Sequence, residues 1–127
     1  MVVDGLYYTK DHEWVKIDGG TATIGIADHA QDALGEITFV ELPEVGKEVQ
    51  ACGALAVVES SKAASDVYSP IAGRVVEVNE QLEIEPEFVN NDCYGQGWIA
   101  KLEIDGKPGF DKLMDSIKYE EYLKTVE

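Results

Sequence analysis

Apolar and polar positions alternate along "WVKIDGGTATIGI", residues 14–26, on both sides of a Gly-Gly pair. In the second run Ala22, Ile24 and Ile26 alternate with Thr21, Thr23 and Gly25, the period of two of a half-buried strand. Gly19 and Gly20 predict a hairpin turn at positive φ. "ADHAQDALG" breaks the alternation. Asp28 and Gln31 stand at capping-box spacing and Gly35 at the stop, which predicts a helix over 28–34. The period of two returns in "EITFVELP", setting Ile37 and Phe39 on one face and Val40 and Leu42 on the other until Pro43 ends the strand.

"EVGKEVQACGALAVVES" carries a turn at Gly46 and a strand ending in "ALAVV". "SDVYSP" and "GRVVEVN" read as strands separated by a turn from Pro70 to Gly73. In "GWIAKLEI" the side chains of Trp98, Ala100, Leu102 and Ile104 share one face. The tail changes period. Leu113 with Ile117, then Tyr119, Tyr122 or Leu123, and Val126, predict two short C-terminal helices with Ser116 as the cap between them. Many short strands with frequent turns predict a mainly β, mostly antiparallel sandwich or flattened barrel, and the alternating βαβ pattern of a nucleotide-binding sheet is missing. "EVGKEV" and "IAGRVVEV" share a Gly-turn-strand pattern about 27 residues apart, a faint sign of two related halves.

Composition narrows the function classes. The 127 residues suit a single domain, 1–127, and 45% apolar content suits a globular one. Against 10 basic residues stand 25 acidic ones, a formal charge of −15. That argues against phosphate backbones and anionic membrane as partners and favours proteins with basic patches. No apolar run approaches the ~20 residues of a membrane span, and "MVVDGLYYTKDHEW" lacks a signal-peptide pattern, so a cytoplasmic protein is expected. Cys52 and Cys93 form no CxxC and read as reduced thiols. Neither His12 nor His29 pairs with a cysteine at ligand spacing, so no metal is expected. "YGQGW" lacks the third glycine and the following helix of a dinucleotide site. No GxSxG or Walker A sequence occurs, and an enzyme is not the expected reading.

One lysine invites another reading. Lys62 interrupts "VVESSKAASDVYSP" where a strand reverses, among Ser60, Ser61, Ala63, Ala64 and Ser65, which leave its amine uncluttered. Around it the segments "YTKDHEWV", "ATIGIADHAQDALGEITFVELPEVG", "VVESSKAASDVYSPIAGRVVEVNEQL" and "PEFVNNDCYGQGWIAKL" run in order. Across about Tyr8 to Tyr122 the chain resembles the H proteins of the glycine cleavage system.

The resemblance implies a biotinyl/lipoyl-like β-sandwich, a barrel-sandwich hybrid, acting as a carrier. Lys62 is then the residue amide-linked to lipoate. The implied partners are glycine decarboxylase with pyridoxal phosphate, aminomethyltransferase with tetrahydrofolate, dihydrolipoamide dehydrogenase with FAD, and the lipoylating enzymes. About eleven bonds from Cα to the ring give an extended arm on the order of 14 Å. By the same resemblance Glu13 and Asp66 line the cleft for the loaded arm, where carboxylates would hold a cationic aminomethyl group by charge-assisted hydrogen bonds. Glu59 and Gly73 correspond to the positions read by the lipoylating enzymes, although Gly73 also suits a turn that needs positive φ. A carrier visiting several active sites is expected to be a monomer.

The chain departs from the resemblance at Ser61, usually apolar, and at Cys52, where Gly or another small residue is common. Lipoyl domains of 2-oxoacid dehydrogenases are shorter, with Asp-Lys-Ala, and biotinyl domains flank the lysine with methionines. An H-like lipoyl donor serving other lipoate-dependent complexes would need the same Lys62 and stays open as an alternative.

Overall fold

Residues 2–104 and 113–126 are described by the structure, a computed structural model. In chain order they form β1 (Tyr7–Tyr8), β2 (Glu13–Asp18), β3 (Thr21–Ile26), α1 (Asp28–Leu34), β4 (Ile37–Glu41), β5 (Glu48–Val49) and β6 (Ala54–Ser60). There follow β7 (Ala64–Tyr68), β8 (Gly73–Val78), α2 (Gln81–Ile84), α3 (Phe88–Asn91), β9 (Ala100–Glu103) and α4 (Ser116–Val126). The strands make a six-stranded sheet, order β1-β2-β3-β9-β8-β5, and a three-stranded sheet, order β4-β6-β7. Every pairing is antiparallel.

The alternation in the sequence is what joins the two sheets. Val15, Ile24, Val75 and Leu102 of the larger sheet share one buried cluster with Ile37, Val40, Val58 and Val67 of the smaller. Each such side chain contributes roughly 1.5–3 kcal/mol by leaving water. The expected mainly β-sandwich with short helices is the observed fold. The two similar segments pair with each other, Glu48 opposite Arg74 and Val49 opposite Gly73.

Several local expectations are corrected. Asp18 and Thr21 pair across the first hairpin, but of its two glycines only Gly19 has positive φ, 61°. Helix α1 starts at Asp28 itself, after Ala27 in extended backbone, without a side-chain cap. Gln31 Nε2 donates to Asp28 Oδ1 (2.8 Å), so the two side chains bond each other and form no capping box. In β4 an irregularity between Ile37 and Phe39 breaks the period of two. Ile37 and Val40 both face the core and Phe39 is exposed. The single turns α2 and α3 were not expected; each is anchored by one buried residue, Leu82 and Val89.

The tail differs most. Residues 105–112 lie outside the described ones, and with them the opening of the first expected helix. Met114 is extended and exchanges backbone hydrogen bonds with Tyr8 at 2.7 and 2.8 Å, so Leu113 belongs to no helix. The one helix here, α4, is capped by Asp115, whose Oδ1 accepts from the Lys118 amide (2.8 Å). Ser116 Oγ instead donates to Asp4 Oδ1 (2.9 Å). Ile117 faces solvent, while Tyr119 is buried and stacks on Tyr8 with centroids 4.3 Å apart. No helix among the described residues is long and apolar enough to cross a membrane.

Candidate functional site

Lys62 stands at the bend between β6 and β7, past the last paired rung, Glu59 opposite Ala64. Ser60 makes the bend. Its amide donates to the Ala63 carbonyl (2.8 Å), and its Oγ accepts from the amides of Lys62 (3.2 Å) and Ala63 (3.3 Å). The side chain thus satisfies backbone groups that the sheet ladder no longer reaches. Lys62 is exposed, and among the described residues its ammonium has no ion-pair partner. Its stem runs past Gly35, the residue ending α1, where an added Cβ would lie 3.5 Å from Lys62 Cε and 3.6 Å from Nζ. From the sequence Gly35 is only a helix stop. Its φ of 80° signals the stop, and only the tertiary fold reveals the lysine beside it.

Glu59 and Asp66 come together on the outward face of the lysine hairpin. Residues directly opposite each other on antiparallel strands share a face, as do i and i+2 along one strand. One rung is therefore Phe39, Glu59 and Ala64, and the next is Glu41, Val57 and Asp66. Asp66 borders a depression of about 450 Å³ together with Glu41, Pro43, Lys47 and Val57.

Glu13 lies elsewhere, at the start of β2, and is only 3% exposed. Its Oε1 accepts from Thr9 Oγ1 (2.8 Å) and its Oε2 from the Tyr68 amide (2.9 Å). Burial outweighs these bonds and, with help from the Asp11 charge, pushes its carboxyl up to about 7. Glu13 borders a second depression, of about 580 Å³, with Thr9, Lys10, Cys52, Tyr68 and Met114. Its partners Thr9 and Tyr68 carry no sequence signal, because the contact depends on how β1, β2 and β7 meet.

Gly73 is in β8 of the larger sheet, opposite Val49, and its φ is not positive. The turn reading is corrected to one of close approach: an added Cβ would sit 2.8 Å from the Glu103 carbonyl oxygen and 3.1 Å from Leu102 Cβ. Gly73→Ala is expected to lower unfolding stability by about 1–3 kcal/mol through overpacking against backbone, read as a fall in urea midpoint at constant slope. Cys52, in contrast, has φ of 67° and is exposed. A side chain there costs roughly 1–2 kcal/mol, which is the physical reason glycine suits the position. Cys52→Gly is expected to stabilise the fold by about 0.5–1 kcal/mol, because glycine's larger unfolded-state entropy offsets part of the gain. An unchanged or lower melting temperature would remove that account.

Lys62 is thus an exposed amine on a tight β-bend, with Ser60, Ser61, Ala63 and Ala64 as its small neighbours. The family described as glycine cleavage H-protein matches residues 6–126. A glycine cleavage system H protein of Thermoanaerobacter pseudethanolicus is 53% identical over 122 residues, 96% of each chain. A probable glycine cleavage system H protein of Pyrococcus horikoshii is 53% identical over 127 residues, covering 98% of this chain and 94% of that one. The crystal structure of a glycine cleavage system H protein from Mycobacterium marinum superposes with a TM-score of 0.86 at 34% identity, covering 97% of this chain and 99% of that one. The chain belongs to the glycine cleavage H-protein family, the non-catalytic lipoyl carriers of the glycine cleavage system.

Proposed function

We propose that Lys62 bears the lipoyl group and that the whole chain, 1–127, works as one monomeric carrier in the cytoplasm. It takes an aminomethyl group from glycine decarboxylase to aminomethyltransferase, and the reduced dithiol to dihydrolipoamide dehydrogenase. The observation that carries this reading is the exposed Lys62 amine, without an ion-pair partner among the described residues, at a bend fixed by Ser60. The surroundings fit acylation: Ser61, Ala63 and Ala64 are small, and Gly35 offers no side chain against the stem. When bound, the group supplies a disulfide–dithiol pair able to take up and release electrons and a one-carbon unit.

The chain's residues supply presentation and holding. Amide formation removes the Lys62 ammonium, and Ser60 keeps the base of the arm fixed while its tip moves. Asp66 is four residues along β7, at most ~13 Å away at strand rise, within the reach of an arm on the order of 14 Å. In this reading Asp66 holds a cationic tip by a charge-assisted hydrogen bond. Glu13, bonded to the Tyr68 amide, is at most ~20 Å away by the same measure, and it serves in this reading only where the direct path from Lys62 falls within the arm's ~14 Å. Glu59 and Gly73 serve recognition by the lipoylating enzymes. Gly73 does so beside its packing role.

Intact mass and peptide mapping after incubation with a lipoylating enzyme, lipoate and ATP test the assignment. One lipoyl group on the peptide containing Lys62 is the expected result. A group on another lysine, or none, would overturn it.

A further inference from the structure

The lysine hairpin has two sides, and the sandwich uses only one. Val40, Val58 and Val67 of the three-stranded sheet are packed into the core. The opposite side holds Phe39, 49% exposed, on the edge strand β4. Phe39 faces Glu59, and Val57 on the next rung lies between Glu41 and Asp66. A short apolar strip is therefore bordered by three carboxylates. Lys47 is the cation at the rim of the adjoining depression, which Pro43 and Leu42 also border.

We propose that this outward face docks against the mouth of the glycine decarboxylase active site when the Lys62 arm enters it. The matching enzyme surface has an apolar pocket for Phe39 rimmed by lysine or arginine side chains. The proposal rests on Lys62 being the arm's anchor. An arm on the order of 14 Å, inserted to its full length, brings the enzyme surface against the base of the hairpin. The inner side of that hairpin is covered by the core, so the outward side is the one left to touch. Acylation neutralises Lys62 and leaves this face to Glu41, Glu59 and Asp66, with Glu44 and Lys47 offsetting each other at the rim of the depression. A chain of net charge −15 meets such a basic rim by attraction. A half-exposed aromatic ring within a polar border is also the composition of an interface anchor.

The test uses Phe39→Ala and Glu41→Lys, each lipoylated and checked by intact mass. Both are titrated as substrates of glycine decarboxylase, at low and moderate salt. Phe39→Ala is expected to raise the KM for the carrier on the order of tenfold, with the rate at saturation within about twofold of the parent. Glu41→Lys is expected to raise KM at low salt and to flatten its salt dependence. Thermal unfolding checks that both variants are folded, as an exposed position on an edge strand allows. Unchanged KM values for both would overturn the docking face. Lys62→Arg is run alongside: if it is still a substrate, the anchor assignment fails, whereas a dead Lys62→Arg beside unchanged KM values for both Phe39→Ala and Glu41→Lys sinks the docking surface alone.

Discussion

Lys62→Arg abolishes glycine-dependent NAD reduction in a mixture reconstituted with the three enzymes of the system, while leaving the melting temperature of the carrier unchanged. The substitution preserves the positive charge and a long flexible stem, and the bend does not depend on the side chain: its bonds run between Ser60 and the backbone of Lys62 and Ala63. What arginine removes is a deprotonatable amine, because a guanidinium stays charged and does not become a nucleophile for acyl transfer. The loss is therefore expected to be complete, with no gain in mass on treatment with a lipoylating enzyme. A rate within the error of the parent would end the carrier assignment at this residue, and a second modified lysine in the mass map would show where it belongs.

Where the sequence was legible, a single physical variable decided the structure. The period of two in residues 21–26 and from Ala100 to Ile104 specified which side chains reach the core, and they do; it failed at Trp98, which packs on the other cluster while its neighbour Ile99 is buried in this one. It failed in β4 because an irregularity between Ile37 and Phe39 adds a residue that alternation cannot foresee, and that slip turns Phe39 outward. The turns α2 and α3 hold one buried residue each, too few to make a period, and they exist because Leu82 and Val89 find the core. Leu113 lies outside the expected helix because its position follows from the Met114–Tyr8 bridge, a contact across more than a hundred residues. Of the site, Lys62 and its bend were visible in the local run of small residues. That Glu59 and Asp66 share a face depends on strand register, and Glu13's burial depends on the neighbouring strands, so neither could be read from spacing.

Glu13 gives the fold a pH dependence whose sign follows from its environment. Burial is the largest influence and favours the neutral acid, against the weaker pull of the Tyr68 amide and the Thr9 hydroxyl toward the carboxylate, so its pKa in the folded chain is about 7, from an ordinary 4.5. A group raised in this way lends stability that is fully present below 4.5 and is lost as pH rises through about 7. The shift corresponds to roughly 3 kcal/mol of unfolding free energy. Glu13→Gln is the matched control, since its amide oxygen can accept from the Tyr68 amide and its NH2 can donate to Thr9 Oγ1. Urea unfolding at pH 4 and pH 8 is expected to show the parent losing about 3 kcal/mol relative to Glu13→Gln across that interval. Parallel curves for the two proteins would mean that the buried carboxyl is as comfortable ionised as in water. If the difference is present, a cation brought against Glu13 in the folded chain lowers its pKa from about 7 by favouring the carboxylate, so a positive charge there offsets part of the destabilisation at high pH.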